Sequence, residues 1–153
     1  MKKIINLLVL LLLSICSYGQ SYNTSNVALA NYLTRMYKAE PFEGVKVADD
    51  YDNHYLISVV ALDSNKYANN SAMARVASVK AMSQASRFLN GASITSDMFI
   101  RASEKSDGSG DTEIIENIHE HSVGYVNALA LLTNFVREKD GWNVFIYFKK
   151  IDR

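Results

Sequence analysis

The clearest candidates for chemistry are two histidines, spaced so that both side chains would lie on the same face of a strand. His119 and His121 flank Glu120. In an extended segment, the first and third side chains share a face about 7 Å apart, so two imidazoles could bind one metal ion. A metal site needs three or four ligands, and Glu116 or His54 could supply another. A metal-binding face at His119 and His121 is therefore one hypothesis, and an exposed polar strand is the alternative.

Other polar clusters match known site patterns only in part. Asp50 and Asp52 reproduce the opening of a calcium loop, but no glycine follows at the required position, so we expect residues 42–52 to form a solvated loop. The glycine-rich residues 107–110 lack the lysine of a phosphate loop, and the sequence contains no G-x-S-x-G elbow. The sequence therefore predicts no cofactor and no enzymatic activity.

The amino-terminal residues have the pattern of an export signal. Lys2 and Lys3 precede a mostly apolar run over residues 4–15, and Ser17 and Gly19 are small residues at the positions expected before a cleavage site. The apolar run is shorter than the roughly 20 residues of a membrane-spanning helix. We expect residues 1–19 to be a signal peptide and residues 20–153 to form a single domain.

Cys16 suggests a second way of processing this segment. Residues 13–16 resemble a bacterial lipobox, in which the cysteine is lipidated and becomes the first residue, although Ile15 is larger than the residue usual before the cysteine. Lipidation would tether the domain to the outer membrane. Cleavage after Gly19 would instead remove the only cysteine, so that the exported domain has no disulfide and no thiolate metal site.

The charge balance gives no indication of a nucleic-acid partner. The whole chain has 16 basic and 16 acidic residues. Loss of Lys2 and Lys3 leaves 14 basic against 16 acidic residues, a formal charge of −2. Such a surface lacks the basic excess that binds phosphate backbones, so we expect no nucleic-acid binding.

Hydrophobic patterning predicts two helices and a mostly antiparallel sheet. An Ala-rich helix over residues 71–90, capped by Asn70 or Ser71, has a face of small side chains suited to lying flat on a sheet. The predicted elements, in the order α-β-α-β-β-β, are a helix at 27–39 ended by Pro41, a central strand at 54–62, the Ala-rich helix, and strands at 92–101, 129–136 and 142–148. Residues 112–126 favour a polar strand leading into the strand at 129–136, with a helix as the alternative, and residues 139–141 predict a hairpin turn. The expected fold is α+β, a two-layer sandwich with the Ala-rich helix on the sheet.

The central section has a recognisable order of elements. The strand YLISVVAL leads into the Ala-rich ARVASVKAMSQASRFLNG, a strand beginning ITSD follows, and a hairpin ends in DGWNVFIYF. Over about residues 54–150 this resembles the LPP20-like family of bacterial envelope lipoproteins and the related N-terminal domain of a flagellar assembly protein. The resemblance implies a small envelope module that binds or assembles, and it transfers no catalytic residues.

The expected function is therefore a non-enzymatic one in a bacterial cell envelope. We expect a periplasmic or outer-membrane-associated module that binds another envelope protein or associates with itself. The alternative is a periplasmic protein that binds a small ligand or a metal through His119 and His121.

Overall fold

A computed structural model describes residues 24–50, 53–91, 99–101 and 122–151 of the chain. Its helices and strands, in chain order, are α1 (Thr24–Ala39), β1 (Gly44–Asp50), β2 (Asn53–Leu62), α2 (Asn70–Gly91), β3 (Phe99–Arg101), α3 (Ser122–Asn127), β4 (Ala130–Val136) and β5 (Asn143–Ile151). A short 3-10 helix at Ser64–Lys66 connects β2 to α2. Within these ranges, no helix is long and apolar enough to cross a membrane.

The strands form one five-stranded sheet in the order β3-β1-β2-β5-β4. Every neighbouring pair is antiparallel except β1 and β3, which are parallel. The predicted central strand is confirmed, because β2 lies in the middle of the sheet and is buried from His54 to Leu62. Buried parallel or central strands have continuous apolar sequences for this reason.

Helix α1 confirms the first predicted helix and covers one face of the sheet. Leu29, Leu33 and Tyr37 follow one another at helical spacing and are buried against that face. The helix ends at Ala39, ahead of Pro41, because a residue that precedes proline is displaced from the α region.

Helix α2 confirms the Ala-rich helix and covers the opposite face. Its buried residues are Met73, Ala77, Ala81, Ala85, Phe88 and Leu89. The predicted cap was off by one or two positions, because the carboxamide oxygen of Asn69 accepts the Ala72 N–H at 2.8 Å. An Asn immediately outside the first turn satisfies a backbone donor that would otherwise have no partner.

The predicted α+β class, with the Ala-rich helix packed on a mostly antiparallel sheet, is confirmed. Because α1 covers the second face, the structure adds a third layer to the two that the sequence predicted. The hairpin between β4 and β5 is also confirmed. Gly141 has a φ of 73°, a left-handed conformation that glycine adopts without steric cost, and its N–H donates to the Arg137 carbonyl at 2.9 Å.

Two predicted segments differ from the structure. The loop expected over residues 42–52 is wrong for Gly44–Asp50, which forms β1 because its backbone pairs along β2 from Gly44 with Val59 to Asp50 with Asn53. The polar strand expected over residues 112–126 is wrong for Ser122–Asn127, which is helical. Tyr125 and Leu129 are buried beside α2 residues, and that burial favours one helical turn over an extended segment. Residues 112–121 and 102–111 lie outside the described ranges.

Candidate binding surface

The residues predicted to carry chemistry fall mainly outside the described part of the chain. His119, His121 and Glu116 lie there, as does Cys16. Metal binding and lipidation therefore stay predictions. Of the proposed ligands, only His54 is described, at the start of β2.

His54 lies directly across the ladder from Asp49, on the same face of the sheet. Its Nδ1 is 3.4 Å from an Asp49 carboxylate oxygen, and His54 is only 8% exposed. The geometry falls short of a hydrogen bond, and Nδ1 has no other such partner among the described residues. Asp49 therefore lies in a strand beside a buried imidazole and not in the solvated loop that we predicted.

This pair does not amount to a metal centre. Protein metal sites use three or four protein ligands, which are held in place by hydrogen bonds from surrounding residues. Within the described ranges, no three His, Cys, Asp or Glu side chains are grouped so as to hold an ion. The pair instead places two polar side chains opposite each other on strands β1 and β2.

A groove opens on the other side of the molecule, between the end of α1 and the end of β4. Its volume is about 320 Å³. The floor is apolar and aromatic, formed by Tyr37, Pro41 and Phe135, and the Tyr37 and Phe135 rings meet edge to face at 5.5 Å. Charged side chains line the rim: Lys38, Arg137, Glu138 and Lys139. An apolar floor with a polar rim is the usual construction of a site that receives a side chain or a small molecule.

Arg137 fixes the wall of this groove. Its Nε and Nη2 donate to the two carboxylate oxygens of Asp140 at 2.9 and 2.6 Å, and its Nη1 donates to the Tyr37 hydroxyl at 2.8 Å. The guanidinium also lies 5.2 Å from the Trp142 ring. These bonds hold the pKa of Asp140 below its usual value and raise that of Arg137. Because its donors are engaged within the protein, Arg137 is a structural anchor here and not a free anion-binding group.

The groove runs into β4, which is an edge strand of the described sheet. Leu131 and Val136 are 48% and 56% exposed, and Asn134 between them is exposed. All three side chains face the α2 side of the sheet, because residues opposite each other in a ladder share a face. Leu131 lies opposite Tyr147, Asn134 opposite Phe145, and Val136 opposite Asn143. We use the name β4 surface for three neighbouring features: the side chains of Leu131, Asn134 and Val136, the outer backbone edge of β4, and the groove.

The sequence predicted the strand at 129–136 but not its place in the sheet. The residue types in this strand gave no sign of an exposed edge, because Leu131 and Val136 are apolar, as core residues would be, although both are exposed. Strand order depends on pairing between distant segments, which local patterning does not encode.

Comparisons with family models, with curated proteins and with solved structures found no significant match for this chain. The resemblance to the LPP20-like envelope family therefore stays a prediction, based on the sequence alone.

Proposed function

We propose that this chain is an exported, non-enzymatic module of a bacterial cell envelope that binds a protein partner through the β4 surface. The observation that carries the binding role is an edge strand without a single charged residue, Ala130–Val136, that exposes Leu131 and Val136. Soluble proteins usually protect such edges with lysine, proline or a covering element. Within the described ranges no strand lies beyond this edge, which is consistent with an edge that is used for pairing.

The opposite edge of the described sheet provides a contrast. Its described residues are Phe99–Arg101 of strand β3, and Arg101 adds a positive charge to that strand. A charged residue on an edge strand is one of the ways in which proteins prevent unwanted pairing. Strand β4 is seven residues long and has only a local irregularity, between Leu131 and Thr133. Of the two edges, β4 is therefore the better candidate for binding an extended segment.

The groove supports the same proposal. It continues from β4 through Phe135 and Val136 to Tyr37 and Pro41. A strand that pairs with β4 would bring one of its side chains over the groove, where an apolar group would contact the aromatic floor. Backbone pairing would then supply affinity and the groove would supply selectivity.

The export part of the proposal rests on the signal-like residues 1–19 and is tested separately. Cell fractionation followed by mass spectrometry of the mature amino terminus distinguishes the two forms of processing. We expect a chain beginning at Gln20. A lipid-modified Cys16 at the first position would support the membrane-tethered form, and an intact Met1 in the cytoplasm would contradict export.

Site-specific photo-crosslinking in the native envelope tests the binding part. A photo-reactive amino acid replaces Asn134, at the centre of β4, and in a matched control it replaces Val79, which is 66% exposed on α2. We expect discrete crosslinked products from position 134 that are absent from position 79. Equal product patterns from both positions, or none from position 134, would contradict a binding role for the β4 surface.

A further inference from the structure

The backbone groups on the outer side of β4 can be assigned from the hairpin. Arg137 donates its N–H to the Trp142 carbonyl at 2.7 Å, so its polar groups point towards β5. In an antiparallel ladder, successive residues alternate between pointing to one neighbour and pointing away from it. The register is regular from Thr133 to Val136, so Phe135 and Thr133 also point towards β5. The N–H and C=O groups of Asn134 and Val136 therefore point outward, and no strand of the described sheet lies on that side.

We propose that a second copy of this chain occupies this edge, with the two β4 strands antiparallel across a two-fold axis and the two sheets joined into one. This inference rests on the proposed function and names the partner of that same surface. In a two-fold interface each residue meets the same surface of its counterpart, so the strand must be compatible with itself.

The charge distribution favours this occupant and this orientation. Strand β4 is uncharged along its whole length, so no like charges face each other when it pairs with itself. The nearest charges, Arg137, Glu138 and Lys139, all follow its carboxyl end, whereas residues 127–129 before its amino end are uncharged. Antiparallel pairing places the charged end of each copy beside the uncharged end of the other. Parallel pairing would bring the two charged ends together.

The face pattern also selects a register. Opposed residues in an antiparallel pair must lie on the same face. Centring the axis on Phe135 places Asn134 opposite Val136 of the second copy, and both residues face the α2 side. It also uses the outward backbone groups of these two residues, since each opposed pair can exchange two hydrogen bonds. The regular stretch that pairs is short, so we expect a dimer that depends on concentration.

Sedimentation analysis of the purified mature protein, over a range of concentrations, is the first test. We expect the apparent mass to rise from one chain towards two. Asn134→Pro removes only an outward-facing N–H, so the monomer should keep its fold and melting temperature while losing the dimer. Asn134→Ala is the matched control and should still dimerise. Val136→Lys places a charge on the edge without touching the backbone and should also shift the protein to the monomer.

A cysteine pair tests the register. In the mature protein beginning at Gln20, which has no other cysteine, one chain carries Asn134→Cys and the other carries Val136→Cys. The two are mixed and oxidised with copper phenanthroline. We expect more disulfide-linked dimer from the mixture than from either chain alone. Equal yields from all three samples would overturn this register.

The failure of this inference is distinguishable from the failure of the proposed function. A protein that stays one chain in mass at every concentration, or a dimer unaffected by both Asn134→Pro and Val136→Lys, would overturn self-pairing. If such a protein still gave photo-crosslinked products at position 134 in the envelope, with the mass of a different partner, the binding role would stand and the second copy would be excluded.

Discussion

The two faces of the sheet are packed by different kinds of side chain. On the α2 face the helix contributes small residues, and Ala77, Ala81 and Ala85 are completely buried. On the α1 face the contacts are between large side chains, with Tyr37 against Phe135 and Tyr55 against Phe148 at ring-centroid distances of 5.5 and 6.2 Å. Small side chains let α2 lie close to the strands, whereas larger side chains, aromatic rings among them, fill the α1 face.

This difference determines how each helix is anchored by polar contacts. Because α2 lies close to the sheet, strand side chains reach its backbone and its polar face. The Ser58 hydroxyl lies 3.2 Å from the Ala81 carbonyl and 3.0 Å from Gln84 Oε1. The Tyr147 hydroxyl lies 3.4 Å from the Ala74 carbonyl. Burial raises the pKa of Tyr147 accordingly. Helix α1 is anchored near its end instead, where Tyr37 accepts from Arg137.

Substitutions on the two faces should therefore destabilise the protein in opposite ways. A face filled by large side chains is damaged most by truncation, which leaves a cavity. A face filled by small side chains is damaged by enlargement, which forces the helix away from the strands. The following variants test that contrast.

Truncation on the α1 face should have the largest effect. Leu33 is completely enclosed, at 1% exposure, so Leu33→Ala should lower the free energy of unfolding by about 2–5 kcal/mol. Chemical denaturation measures this change. Val27→Ala in the same helix is the control, because Val27 is exposed. Equal losses from the two variants would show that α1 is not held by its buried side chains.

Enlargement on the α2 face should have the next largest effect. Ala81→Leu should cost about 1–3 kcal/mol, because the added atoms meet β2 where the Ser58 hydroxyl reaches the helix. Val79→Leu, on the exposed side of α2, should leave the melting temperature nearly unchanged. An Ala81→Leu protein as stable as its parent would contradict close packing of this helix.

Removal of the buried polar contact on the α2 face should have a smaller effect. Ser58→Ala should cost about 0.5–1.5 kcal/mol, the net value of one hydrogen bond. A double-mutant cycle with Gln84→Met isolates the contribution of the contact between these two side chains. Strictly additive losses would mean that Ser58 anchors α2 through the Ala81 carbonyl alone.

The exposed anchor on the α1 face should have the smallest effect, and one that depends on pH. The bonds from Arg137 lower the pKa of Asp140 from its usual 3.8, so the carboxylate stabilises the fold above that pH and loses its contribution as the pH falls through the lowered value. Asp140→Asn should therefore be less stable than the parent near neutral pH. The difference in melting temperature should begin to shrink as the pH falls below about 3.8 and should disappear below the lowered pKa of Asp140. A constant difference at all pH values would exclude the charge as its cause.

The sequence was sufficient to predict the elements whose apolar pattern is strong. Strand β2 is a continuous run of apolar residues, and α2 shows both a small-residue face and polar residues on the other side. The hairpin was predictable because Gly141 follows Asp140 between two apolar strands, a local combination with a specific turn geometry. These features depend on neighbours in the sequence.

The features that the sequence did not predict depend on distant residues. Strand β1 contains Lys46, Asp49 and Asp50, and it is extended because β2 supplies its hydrogen-bond partners. Residues Ser122–Asn127 include β-forming Val123 and Tyr125, yet they form a helix that buries Tyr125 beside α2. The edge position of β4 follows from strand order, so the candidate binding surface emerged only from the structure.

The ladder between β2 and β5 has a consequence for how the chain reaches its fold. It pairs Leu62 with Asn143 and His54 with Ile151, so the middle of the sheet joins segments that are far apart along the chain. Contacts of this kind close slowly, because the entropy of a long loop is lost before the contacts repay it. For the exported module that we propose, this delay would be useful. A chain that completes its central ladder late stays unfolded for longer, and an unfolded chain can pass through a membrane channel during export.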